Sequence, residues 1–180
     1  NSQIQSAALV SLQVATVAMI GATVMATMAA LATTRCRPYR GMNVAVTIIN
    51  QPLMVPEIVT AVATLTFFAL LKQATGISGI GYLIVAHTVF CIPFAYMPIR
   101  ARLEDMNLDL EQAASDLYAP PMKVFWRVTF PLLLPGILAG AMLAFIVSLD
   151  DFISTYFVKG AGVETLPTAI FGAVKQGIKP

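Results

Sequence analysis

Residues 4–34 carry no charged side chain at all. An α-helix rises about 1.5 Å per residue, so about 20 apolar residues cross a hydrocarbon layer about 30 Å thick. The run is too long for the apolar region of a secretory signal, and no cleavage site follows it. Three further stretches reach membrane length. Residues 42–71 hold one acid, Glu57; residues 73–99 hold none, with His87 the ionisable side chain of note; residues 128–149 hold none. Composition agrees: 58% of the 180 residues are hydrophobic and 11% charged, against about 25% charged in a soluble domain. A formal net charge of +2 is too small to call for nucleic acid. These numbers exclude a disordered chain, a basic nucleic-acid binder and an ordinary soluble enzyme. The expected class is an all-α, polytopic membrane helix bundle.

Loop charge sets the expected orientation, because Lys and Arg concentrate on the cytoplasmic side. Arg35, Arg37 and Arg40 separate the first two stretches, and Arg100, Arg102, Lys123 and Arg127 separate the third and fourth. The other side holds Lys72, Lys159, Lys175 and Lys179. The 35–41 and 100–127 loops are therefore expected in the cytoplasm, and Asn1, the 72–78 loop and the 150–180 tail outside. An outward Asn1 without a cleavable signal calls for an upstream span, so the chain reads as a fragment.

The second stretch is interrupted by Asn50-Gln51-Pro52 and Pro56-Glu57. Proline removes a backbone donor and clashes with the preceding turn. Broken backbone at membrane depth is tolerated where it lines a cavity or is buried in protein, and such breaks mark substrate paths. A carboxylate there, Glu57, is a functional candidate; its other reading is a cap on the second half-helix. His87 reads as a packed ring with one hydrogen bond. Small residues at four-residue spacing, Ala18, Ala22, Ala26, Ala30 and Thr34, and the pair Gly136 and Gly140, let helices approach closely. They point to a tight bundle with a subunit interface, or to ordinary membrane-helix composition.

Cys36 and Cys91 are far apart and read as free thiols. With one histidine and no clustered cysteines, no metal site is expected. The glycines of 76–81 lack the Lys of a phosphate-binding loop, so nucleotide binding is not expected in this chain.

The polar segment 100–127 holds five of the nine acids. Two short helices fit it, about 104–117 and about 121–129, with a break at Ala119-Pro120-Pro121. The first carries Leu110, Ala113, Ala114 and Leu117 on one side with Leu103; the second carries Val124, Phe125 and Val128. Such an apolar helical pair marks a partner site, with helix-in-groove docking the natural mode.

Gln112-Ala113-Ala114, three residues, Tyr118, nine residues, Val128, Thr129 and Phe130-Pro131 resemble the EAA loop of ABC-importer permeases. That family's pattern is Glu-Ala-Ala, three residues, Gly, nine residues, Ile, one residue and Leu-Pro. Gln112 stands at the family Glu, with Glu111 beside it; Phe130 stands at Leu. Tyr118 stands at Gly, where a turn with positive φ would be strained. Ser148-Leu149-Asp150-Asp151-Phe152, Phe157-Val158-Lys159-Gly160 and Thr165-Leu166-Pro167 resemble the spermidine/putrescine branch. The resemblance runs over essentially the whole chain.

It implies a type I importer (MetI-like) permease domain over 1–180 lacking one span at each end. Residues 100–131 would form its cytoplasmic coupling loop. Glu111, Gln112, Ala113, Ala114, Asp116, Leu117, Tyr118 and Pro131 are the implied contacts to an ATPase. The implied partners are an ATPase dimer that binds the ATP and Mg, a second permease subunit and an extracytoplasmic solute-binding protein, in a bacterial inner membrane. No catalysis is expected in this chain. For a polyamine, carboxylates spaced along a path would serve the cationic cargo: Glu57, Asp150 and Asp151, with Ser148 as a hydrogen-bonding partner and Phe152, Tyr156 and Tyr82 as aromatic candidates. The alternatives are a permease for another small solute and an ion-coupled secondary transporter using Glu57 and His87.

Overall fold

A computed structural model describes residues 2–76, 79–160, 162–175 and 177. Asn1, Lys179 and residues 77–78, the end of the 72–78 loop, lie outside the described residues. The described elements are all helical: α1 Ser2–Thr34, α2 Met42–Met54, α3 Glu57–Thr75, α4 Ile80–Asp105, α5 Asp109–Asp116, α6 Pro121–Val124, α7 Phe130–Asp150, α8 Ile153–Val158 and α9 Leu166–Lys175. A π-helical turn, Phe125–Thr129, joins α6 to α7. Four helical stretches are long and apolar enough to cross a membrane: Gln3–Thr34, Glu57–Thr75, Ile80–Asp105 and Pro121–Asp150.

Four boundaries differ from expectation. The second crossing is α3, not a span of 42–71. Pro52 is accommodated inside α2, and the chain breaks at Val55-Pro56. Val55 is extended, with φ −97° and ψ 137°, because a following proline disfavours the helical conformation. The third crossing runs past residue 99 to Asp105, since Arg100 pairs with Glu104 at 2.7 Å one turn on and continues the helix. The first helix of the 100–131 segment therefore starts at Asp109 rather than near 104. Its first amide, that of Asp109, donates to Asn107 Oδ1 at 2.9 Å.

The fourth crossing also begins earlier than residue 128. α6, the π turn and α7 form one continuous rod of 30 residues, Pro121–Asp150. Pro131 lacks the N–H that a regular helix would donate four residues back, and a π turn at this point absorbs the mismatch. The apolar segment beyond the break at Ala119-Pro120 is thus rigidly continuous with a membrane crossing.

α1, α4 and α7 make the core. Ala18, Ala22, Ala26 and Ala30 are fully buried on one face of α1. Against them lie Cys91, Ala95, Tyr96, Ile99 and Leu103 of α4, and Leu133 and Ala144 of α7. Gly140 brings α7 onto the α4 backbone: a Cβ there would stand 2.7 Å from the Ala95 carbonyl oxygen. At Gly136 a Cβ would stand 2.6 Å from Arg102 Cβ, and Arg102 Nε passes on to donate to the Leu132 carbonyl at 2.9 Å. The small-residue stripes are consumed within this chain, not left open for a subunit interface. Opposite them α1 presents Leu9, Val17, Ile20, Val24 and Met28, all exposed, as lipid-facing helices do.

Candidate functional site

The two helix breaks meet. α7 ends at Asp150, and α8 begins at Ile153. Asp151 lies in the joint and is buried, 6% exposed. Its Oδ1 accepts the Ser154 amide at 3.1 Å and its Oδ2 the Thr155 amide at 3.2 Å. It therefore caps α8, where the helix dipole favours a negative charge. The sequence places the Asp pair at an unfavourable helix C-terminus; the structure places Asp151 at the start of the next helix. Asp150 is exposed.

Across from Asp151 stands the other break. Glu57 opens α3 directly after Pro56, and its carboxyl faces that of Asp151 closely enough for the two to interact. Glu57 does not simply cap its own half-helix; it faces a second carboxyl. Among the described residues, no Lys or Arg forms an ion pair with either.

His87 completes the cluster. It is 1% exposed. Nδ1 lies 2.8 Å from Ser148 Oγ, and Nε2 lies 2.9 Å from Thr155 Oγ1 and 3.2 Å from Asp151 Oδ2. The single hydrogen bond expected of this ring is thus an underestimate. Ser148, on the buried face of α7, is held by it. His87 is seven residues into α4, so the cluster lies about 10 Å along α4 from its start. Asp151 is within the bundle rather than at its rim, where the sequence places the Asp pair, and Glu57 is half-buried.

Beside the cluster a cavity of about 420 Å³ opens between the α2–α3 break and α4. Gln51, Val55, Thr60, Phe67, Phe90 and Ser154 are among its walls, and Thr60 Oγ1 is buried there without a hydrogen-bond partner. Of the aromatic candidates, Tyr82 stacks on Phe68 at 4.8 Å, and Phe152 and Tyr156 gather around Phe171 of α9 at 4.8 and 6.2 Å. None of the three candidate rings is a wall of this cavity, although Phe68, on which Tyr82 stacks, is one.

The second candidate region is at the opposite end of the bundle. Glu111, half-buried, lies 3.5 Å from Arg35 Nε at the end of α1 and accepts a hydrogen bond from Thr129 Oγ1 at 3.0 Å. Gln112 is exposed. The inward-tying carboxylate is thus Glu111. α5 ends in a Schellman motif: the Ala119 amide donates to the Ala114 carbonyl and the Tyr118 amide to the Ser115 carbonyl,. The residue after the cap is Tyr118, with φ 58°, in the left-handed region that favours glycine,. The turn is neither shifted nor rebuilt by the prolines; tyrosine occupies the glycine conformation. The surface so formed is apolar: Tyr118 is 96% exposed, Leu117 82% and Met122 68%. Ala113, Asp116 and Pro131 are exposed and Ala114 half-exposed. Leu103, expected on this face, belongs to α4 and is buried.

Sequence reasoning missed Thr155 and Thr129, and the partnership of Arg35 with Glu111. Each is a long-range contact, and no local pattern marks it. His87 carried a signal, as the one imidazole in the chain, but not its partners.

Four helices long and apolar enough to cross a membrane, a broken helix and an exposed knob that leads into a crossing define a polytopic membrane protein. Residues 22–176 match the family model of the binding-protein-dependent transport system inner membrane component, and the chain belongs to that family. It is 36% identical over 178 residues to the putrescine transport system permease protein PotI of Escherichia coli (strain K12), covering 97% of this chain and 63% of that protein. It is 35% identical over 181 residues to the spermidine/putrescine transport system permease protein PotC of Haemophilus influenzae, covering 100% of this chain and 68% of the relative. The E. coli (strain K12) PotC is 33% identical over 180 residues. The chain thus spans about two thirds of the length of these relatives. Membership of the family sets aside the ion-coupled secondary transporter.

Proposed function

We propose that this chain is the permease subunit of an ATP-driven importer and forms part of the path of a polyamine. The cargo is handed over by an extracytoplasmic binding protein. ATP hydrolysis takes place in a separate ATPase pair, and a second permease subunit completes the path. The observation that carries the cargo assignment is the meeting of Glu57 and Asp151, two carboxyls from two helix breaks that no Lys or Arg of the described residues neutralises. A carboxyl pair inside a membrane bundle is costly without a cation. A diamine offers that cation, and the Phe-lined cavity beside the pair suits its methylenes and its charge. Ser148 supports the site through His87. The names of the relatives point the same way.

At the other end, residues 100–131 are proposed as the cytoplasmic coupling segment. Leu117 and Tyr118 would enter a groove of the ATPase, with Ala113 and Ala114 permitting close approach and Gln112, Asp116 and Pro131 at the rim. Because α6 is continuous with α7, motion at the knob would be delivered to the crossing that ends at Asp150, and thus to Asp151. Rocking of the crossings about the core would then alternate access.

The test is uptake of radiolabelled putrescine by cells carrying the full-length permease with its transport partners. Glu57→Gln and Asp151→Asn each lower uptake by about 10-fold or more, the weight of a hydrogen bond to a charged group. Uptake of a neutral solute with normal putrescine transport in both variants overturns the cargo assignment.

A further inference from the structure

We infer that His87 is a positioning residue for the cation path: it sets the orientation of the Asp151 carboxylate from a separate helix. The inference rests on the path role of Asp151 proposed above.

A buried histidine is ordinarily a packed ring whose two nitrogens have found partners. His87 meets that need with Ser148 and Thr155 alone, at 2.8 and 2.9 Å. The hydroxyls can each donate or accept, so either tautomer is satisfied without a carboxylate. Yet Nε2 also lies 3.2 Å from Asp151 Oδ2. With the ring proton on Nε2, the N–H is shared between Thr155 Oγ1 and Asp151 Oδ2, and the Ser148 hydroxyl donates to Nδ1.

Apart from His87 and the facing Glu57 carboxyl, the groups that hydrogen-bond Asp151 come from its own neighbourhood, the amides of Ser154 and Thr155 and the Thr155 hydroxyl. They hold the carboxylate relative to α8 but do not reach the core helices α4 and α7. α8 is six residues long, follows α7 across the Asp151-Phe152 joint and packs chiefly against α3. His87 sits on α4, a core helix, and its ring touches α7 at Ser148, α8 at Thr155 and the joint at Asp151. One side chain therefore locks the joint to the core and fixes the direction in which Asp151 meets Glu57. The titratable groups facing this carboxyl are Glu57 from α3 and His87 and, at longer range, Cys91 from α4.

Asn and Gln separate the two ring nitrogens. An Asn amide reaches where Nδ1 stands and keeps the Ser148 contact; a Gln amide reaches where Nε2 stands and keeps the contacts to Thr155 and Asp151. In the putrescine uptake assay, with the amount of permease in the membrane measured for each variant, His87→Asn raises KM by about 10-fold with the maximal rate little changed. His87→Gln stays within about twofold of the native KM. In an Asp151→Asn background, His87→Asn adds nothing further, because the two residues act as a unit. Equal effects of Asn and Gln, or losses that multiply in the double variant, overturn the inference and leave His87 a packing residue. A native KM in Asp151→Asn alone removes the path role itself, and the inference falls with it.

Discussion

Glu111 is tied at once to Arg35, 3.5 Å away at the end of α1, and to Thr129, 3.0 Å away at the foot of α7. One carboxylate therefore seats the short α5 helix on two core helices. The position of the family Glu is taken by Gln112, whose side chain is exposed. A shift of one residue along a helix turns a side chain through about 100°, so the inward and outward roles at these two positions cannot be exchanged.

Glu111→Ala is expected to loosen the knob and reduce transport, whereas Gln112→Ala leaves the seating of α5 unchanged. The ion pair is largely but not wholly shielded, with 18% and 21% of the two side chains exposed, so its loss costs about 1 kcal/mol. Limited proteolysis of the purified permease between residues 100 and 131 checks this. Faster cleavage in Glu111→Ala and Arg35→Gln, with no further gain in the double variant, is the expected pattern.

Tyr118 occupies a left-handed conformation that glycine adopts without steric cost,. Tyr118→Gly is expected to stabilise the loop by about 1 kcal/mol, the penalty for a non-glycine residue in that region. The same variant removes a side chain that is 96% exposed at the proposed docking surface. Thermal unfolding of the isolated permease should therefore improve while ATPase binding weakens. Opposite signs in the two measurements separate strain from docking.

The contact of α7 with α4 makes a sharp steric prediction. Gly140→Ala forces a Cβ to within 2.7 Å of the Ala95 carbonyl and costs about 1–3 kcal/mol as overpacking. Gly81→Ala, where nothing lies within 4 Å of the new Cβ, is neutral or slightly stabilising. Unfolding temperatures of the two variants in detergent should fall on opposite sides of, or at and below, the native value.

The adjacent aspartates are expected to differ. Asp151 is buried and capped, Asp150 exposed. Asp150→Asn should leave putrescine uptake within about threefold of native, where Asp151→Asn loses about 10-fold. Uptake rates corrected for membrane content decide it. Equal losses would place Asp150 on the path as well.

Much of the fold was legible because lipid imposes a simple rule: a crossing needs length and an absence of charge, and residues 4–34 meet both visibly. The broken second crossing was legible from Pro56, since proline acts locally. What the sequence could not give was where a break stops being tolerated. Pro52 looks like Pro56 on the page, but α2 accommodates one and the chain bends at the other. The π turn at Phe125–Thr129 hid the continuity of α6 with α7 for the same reason. At the site, Glu57, Ser148 and Asp151 were readable as polar groups in an apolar setting. Their meeting depends on how α3, α4 and the α7–α8 joint pack, which no local spacing records. The inward turn of Glu111 likewise follows from its contacts with Arg35 and Thr129, not from its neighbours in sequence.

The central claim is that this chain carries a polyamine through the membrane on energy delivered at residues 100–131. The most direct measurement is accumulation of radiolabelled putrescine in liposomes holding the full-length permease, its partner subunits and the binding protein, with and without ATP. The account predicts ATP-dependent accumulation that Ala113→Glu abolishes while the permease stays folded. Accumulation at the same rate without ATP, or undiminished accumulation in Ala113→Glu, would contradict it.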